Sequence, residues 1–165
     1  PSGVRAHTFS SGNYAAVKLN GMPVPEAGFN AAIAGHFGVP ILAISGDDAI
    51  IAEAKGILGD VEGAIVKWSY GFHSARTLMP EAGRQLIKEK VTTAIKRIAD
   101  FTPFTIDNPV RLEVTFKNYM PAELASYLPN VDRVDAHTIG FTGADMLEVS
   151  KFTQFLVRYR ANLEP

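Results

Sequence analysis

Pro40-Ile41-Leu42-Ala43-Ile44-Ser45 is an unbroken apolar run of strand length, closed by the turn and capping residues Gly46-Asp47-Asp48. A strand without polar alternation needs cover on both faces, as a parallel strand has when it lies between helices. The flanking sequence supplies candidates. Upstream, Pro25 suits the first position of a helix that runs to about Phe37 and stops at Gly38. Downstream, a helix from about Asp48 to Leu58 is broken by Gly59-Asp60, and Ala64-Ile65-Val66-Lys67-Trp68 reads as another strand. With strand-like Tyr14–Leu19 ahead of them, turning at Asn20-Gly21, the order β-α-β-α-β predicts an α/β sheet with right-handed crossovers.

A long helix is predicted from Pro80 to about Ala99, with Leu86, Ile87, Val91, Ala94, Ile95 and Ile98 as its apolar stripe. After the proline-containing loop Thr102–Pro109, Arg111–Phe116 alternates cleanly, as a strand covered on one face does. A short helix over Pro121–Leu128, a strand over Val134–Phe141 and a helix from about Ala144 to Asn162 complete the chain. The last helix is apolar at Met146, Leu147, Val149, Phe152, Phe155, Leu156 and Tyr159. The expected class is α/β, a mixed sheet with helices on its faces plus a C-terminal α+β portion. Residues 1–101 are expected to form the end of an α/β layer, and residues 102–165 an α+β portion packed on it as one compact unit.

Charge narrows the function. Lys and Arg number 16 against 17 Asp and Glu, so no basic surface supports nucleic-acid or anionic-membrane binding. Without cysteine there is neither a disulfide framework nor a thiolate metal site, and zinc would have to use His and carboxylate ligands. No apolar run approaches a membrane span, and the start lacks the pattern of a signal peptide, so a cytoplasmic protein is expected.

Glu26 is a lone carboxylate in the first turn of a helix whose Ala31, Ala32, Ile33 and Ala34 draw it inward. A negative charge is favoured at a helix N-terminus. If carried inside, it needs a metal, a cation or a hydrogen-bond cluster; the bland alternative is a solvent-facing residue of the capping region. His7 lies in the small polar stretch Arg5–Ser11, where an imidazole could move protons near neutral pH, although a lone histidine is more often structural. His36 suits the C-terminal end of its helix, His73 falls on a loop after a strand, and His137 suits local hydrogen bonding. Asp47 and Asp48 diverge as adjacent helical residues and read as N-caps rather than a cation site. Ser10, Ser11 and Ser74 match no nucleophile motif.

The ordered segments Gly3–Ser11, Lys18–Gly21, Glu26–Ala31 and Gly38–Ala49, with Val66-Lys67, Ser74-Ala75 and Ala144–Glu148, resemble the bacterial zinc D-aminopeptidase family of self-compartmentalising peptidases. The resemblance runs through nearly the whole chain. It implies an aminopeptidase with two zinc ions per complete subunit, acting on short peptides, D-amino-acid peptides included, in a ring-like homo-decamer. It also implies His7 as the catalytic histidine, as nucleophile or acid/base, and Glu26 as a metal ligand. The family's Asp-x-Glu pair and two further histidines would precede Pro1, so the chain, opening without Met, is expected to be a fragment, a processed product or a partial chain. Two alternatives remain open: a catalytically silent structural or oligomerisation domain without metal, and a site completed by a separate N-terminal chain.

Overall fold

The computed structural model describes residues 3–158, in which eight strands and five helices follow one another. They are β1 (Tyr14–Leu19), β2 (Met22–Pro23), α1 (Glu26–His36), β3 (Ala43–Asp47), α2 (Asp48–Leu58), β4 (Glu62–Gly71), β5 (Ser74–Thr77) and α3 (Pro80–Lys96). A 3-10 turn, Ile98–Asp100, precedes β6 (Val110–Phe116), α4 (Tyr119–Ala125), β7 (Val131–Arg133), β8 (Thr138–Gly143) and α5 (Met146–Arg158). The chain divides into two units, one holding the residues up to Ala6 with Gly38–Phe104, the other His7–Phe37 with the residues from Thr105 onward.

In the first unit β3 pairs parallel with β4, and β4 antiparallel with β5, giving the order β3-β4-β5. Helix α2 connects the parallel pair and packs on both strands, and α3 packs on β4 and β3. Asp47 caps α2, its Oδ1 accepting the Ile50 N–H at 2.9 Å. Its Oδ2 accepts the Val4 N–H at 2.8 Å, so one buried carboxylate also ties down the start of the chain. The expected apolar stripe of α3 is only partly used. Gly83 and Ala94 are buried against the sheet, whereas Ile87, Val91, Ile95 and Ile98 are exposed. The sheet side of α3 instead carries Lys90 and Arg97, paired with Glu62 of β4 at 3.4 and 3.1 Å.

The second unit is built on an antiparallel sheet of order β2-β1-β6-β8-β7. As its alternation predicts, β6 buries Val110, Leu112, Val114 and Phe116 on one face only. Val17 and Leu19 of β1 and Ile139 and Phe141 of β8 share that face, and α5 packs on β6 and β8 through the buried Met146 and Val149. Helix α1 packs against α5, with Phe29, Ala31 and Ala32 buried. The opposite face is polar: Arg111 grips Asp132 with two bonds of 2.6 Å, and Lys18 lies 3.9 Å from Glu113.

The mixed sheet with flanking helices and the α+β portion agree with the expected class. The expected course of the chain needs three corrections. Strand β1 does not join β3 in one sheet; it pairs with β6, because its apolar positions complete the same buried face. Residues 7–37 therefore belong with the C-terminal unit and not with the 1–101 portion in which the sequence placed them. Of the strand expected over Val134–Phe141 only the second half forms, as β8 from Thr138; residues 134–137 are the turn from β7 into β8, in which Asp135 accepts the His137 and Thr138 N–H groups. Smaller shifts accompany these. Pro25 is the N-cap of α1, one place earlier than expected, and Asn20 and Gly21 both take positive φ, as a type I′ turn requires. Tyr159 and Asn162, assigned to the last helix from sequence, lie outside the described residues.

Candidate active site

Pro25 holds its backbone extended, at φ −74° and ψ 174°, and α1 starts abruptly at Glu26. No side chain caps the helix, so the Glu26 carboxylate is the negative charge that its N-terminal dipole meets. Three residues later Phe29, one of the largest fully buried side chains, anchors the first turn to the core. The ring of Phe9 stands edge-on to Phe29, with centroids 5.2 Å apart and planes at 90°. Phe9 has a left-handed backbone, φ 59°, a conformation that costs a non-glycine residue about 1 kcal/mol. It donates its N–H to Glu26 Oε2 at 3.0 Å. The aromatic contact and the backbone bond thus bind the segment before β1 to the start of α1.

That clamp brings together the two residues singled out from sequence. His7 Nε2 lies 3.9 Å from Glu26 Oε2, with both side chains a little under half exposed. The distance is too long for a hydrogen bond and becomes an ion pair only when the imidazole is protonated. Glu26 is therefore neither deeply buried nor freely solvated. It is a half-open carboxylate with a backbone N–H on one oxygen and an imidazole beside it.

The other candidates are elsewhere. His36 ends α1, edge-on to Phe37 at 4.8 Å. His73, in the first unit, accepts at Nδ1 from Arg5 Nη1 at 3.0 Å on the β4–β5 hairpin, where the Arg5 guanidinium also stands over Phe72. His137 is held by its own turn. Asp47 and Asp48 diverge as expected: Asp47 caps α2, while Asp48 accepts the Ser69 N–H at 3.0 Å. Phe9 was missed from sequence altogether. Nothing in a Phe codes for left-handed backbone, and its contribution is an N–H that every residue but proline carries.

A catalytic zinc needs about three protein ligands and an open position. Among the described residues no group of three or more His, Cys, Asp or Glu side chains is placed to hold a metal. Glu26 with His7 beside it falls short of that number, so these residues do not by themselves fit a zinc centre. What they can do is present a fixed carboxylate oxygen and hold or move a proton at the imidazole.

A family model described as D-aminopeptidase matches residues 1–155 of the chain. A D-aminopeptidase of Bacillus subtilis is 35% identical over 132 residues, 79% of this chain and 48% of that protein. The solved structure of the zinc-dependent D-aminopeptidase DppA from Bacillus subtilis, described as a self-compartmentalizing protease, superposes with a TM-score of 0.88 at 30% identity. It covers 98% of this chain and 60% of its own. The chain thus spans about half to three-fifths of the length of these relatives.

Proposed function

The chain belongs to the D-aminopeptidase family, and from that membership we propose that it supplies one metal ligand and the catalytic histidine of a zinc-dependent aminopeptidase. The substrate class is a short peptide with a free N-terminus, D-amino-acid peptides included. The observation that carries the proposal is the clamped pair, His7 Nε2 at 3.9 Å from a Glu26 oxygen that the Phe9 N–H fixes.

In this reading Glu26 is a zinc ligand, and bound zinc would supply Lewis-acid polarisation and water activation. The remaining donors, by the resemblance an Asp-x-Glu pair and two histidines, would come from the part of the family's length that this chain does not span, and two zinc ions would occupy the complete site. His7, exposed and beside the carboxylate, would act at Nε2 in one of two ways: as nucleophile on the carbonyl, expelling the amine and leaving an acyl group that water then removes, or by taking the proton of the attacking water and passing it to the leaving amine. The left-handed Phe9 keeps that imidazole from swinging away, because the segment following it is pinned at both backbone and ring. A ring-like decamer is the assembly we propose, supported by the self-compartmentalizing description of the solved relative.

A second reading, a silent domain that keeps the fold without metal, is favoured by the lack of a three-donor group among the described residues. Zinc analysis and peptide turnover of the complete protein distinguish the two. We expect His7→Ala to retain zinc and lose turnover, and Glu26→Ala to lose zinc. Variants that retain both zinc and turnover would remove both assignments, and a complete protein without zinc would leave the silent domain.

A further inference from the structure

Arg5 is exposed in the segment ahead of β1, yet contacts within the first unit hold it in place. Its predecessor Val4 gives its N–H to the buried Asp47 carboxylate at 2.8 Å, and Arg5 gives its own to the Phe72 carbonyl at 2.9 Å. The guanidinium stands over the Phe72 ring, 5.4 Å from the centroid, and Nη1 donates to His73 Nδ1 at 3.0 Å. Phe72 and His73 are themselves edge-on, with centroids 4.8 Å apart, at the tip of the β4–β5 hairpin. These contacts sustain a left-handed backbone at Arg5, φ 55°, which a non-glycine residue adopts only at a cost.

A peptide carbonyl, an aromatic ring and an accepting imidazole are all uncharged, so they aim the guanidinium without neutralising it. Ordering an arginine before its ligand arrives lowers the entropic cost of binding. The planar fork carries five N–H donors and matches a carboxylate with two parallel bonds. Arg5 is also two residues ahead of His7, and two residues of chain span at most about 7 Å. Each residue of an extended peptide likewise adds about 3.5 Å, so a dipeptide or tripeptide carries its carboxylate within about 7 Å of its first carbonyl, and a longer peptide carries it further away.

We propose that Arg5 is the subsite for the C-terminal carboxylate of the substrate, and that it selects peptides of two or three residues. The inference rests on the aminopeptidase reading of His7 and deepens it. Arg5 donates two N–H bonds to the carboxylate, and His73 is a positioning residue that touches Arg5 rather than the peptide.

The test compares D-alanyl-glycine with D-alanyl-glycinamide as substrates of the complete protein. Glycine has no side chain, so the pair isolates the terminal carboxylate. Arg5→Met keeps the apolar stem and removes the fork. The ratio of kcat/KM for the acid to that for the amide should fall about tenfold, through KM rather than kcat, because a bond remote from the reacting atoms is equally strong in ground and transition states. Arg5→Lys should recover part of the ratio, as a point charge without the fork. His73→Ala should lower the ratio, and His73→Asn, whose Oδ1 can replace Nδ1 as the acceptor, should restore it. A ratio unchanged in Arg5→Met overturns the proposal. So does an equal loss for acid and amide in both Arg5→Met and His73→Ala, since Arg5 would then only brace the chain. If the unaltered protein turned over neither peptide, the aminopeptidase reading would fail separately. Titration calorimetry of the same two peptides would then decide the subsite: tighter binding of the acid, lost in Arg5→Met, supports it, and equal Kd for acid and amide overturns it.

Discussion

Replacing Glu26 by Gln and by Ala separates the two things its carboxylate does in the fold. Its Oε2 accepts the Phe9 N–H at 3.0 Å, and the side chain is 42% exposed. A partly solvated bond of this kind contributes about 1 kcal/mol. The negative charge in the first turn of α1 adds about 0.5 kcal/mol through the helix dipole. Gln keeps an acceptor and loses the charge, so it should cost about 0.5 kcal/mol; Ala loses both and should cost about 1.5 kcal/mol. Relaxation limits the second figure, because a released Phe9 can leave its left-handed backbone and recover part of about 1 kcal/mol of strain. For a chain of this size 1 kcal/mol shifts Tm by about 2–4 °C. Thermal unfolding at pH 7 should therefore show a Tm about 1–2 °C lower for Glu26→Gln and about 3–6 °C lower for Glu26→Ala. Identical melting of the two variants would refute the reasoning: the Phe9 bond would contribute nothing, and His7 would not be held in place by it.

Gly140 lies beneath the Arg111 guanidinium, where an added Cβ would overlap it. Gly140→Ala should therefore cost about 1 kcal/mol by breaking the Arg111–Asp132 pair, yet be neutral or stabilising in an Arg111→Ala background; equal effects in urea unfolding of both backgrounds would contradict this. The bond from Arg111 holds the Asp132 carboxyl below the usual carboxylate range. Because the folded-state pKa is lowered, the pair's contribution is present above about pH 4 and fades as pH falls through the lowered value. The stability gap between the unaltered chain and Arg111→Met, followed by urea unfolding, should accordingly close in acid, and a gap independent of pH would count against it. Asp47→Ala loses the α2 cap and the Val4 acceptor and should cost about 2 kcal/mol, and Asp47→Asn, whose amide nitrogen cannot accept, keeps only one of the two bonds and should cost at least about half of that; unfolding midpoints unchanged in both variants would mean that neither bond matters.

Local chemistry made much of the fold legible. Helix α2 needed only an Asp to cap it and Gly59 to stop it, and the Asn20-Gly21 turn takes positive φ because those residues accept it most readily. Period-two alternation marked β6 as half-buried, since successive side chains must point to opposite faces. Where pattern and packing parted, the reason was long-range. The apolar positions of β1 suit any buried sheet face, and only pairing with β6, about a hundred residues later, chose one. The stripe on α3 is equally real in the sequence, but the described residues offer it no partner, while Lys90 and Arg97 turn to the sheet to meet Glu62.

The same division runs through the candidate site. His7 and Glu26 were identifiable in the sequence, through the resemblance of their flanking segments and the small apolar helix behind Glu26. The chain alone also determined that any metal site must use imidazole and carboxylate, because it contains no cysteine. Only tertiary structure decided that the two side chains face each other at 3.9 Å. That distance depends on the left-handed Phe9, its N–H on Glu26 and its ring on Phe29, a set of contacts across 17 to 20 residues of chain. A backbone N–H has no side-chain signature, and a positive φ at Phe is imposed by surroundings rather than preferred by the residue. Residue type thus settled which groups are available for chemistry, while packing settled where they meet.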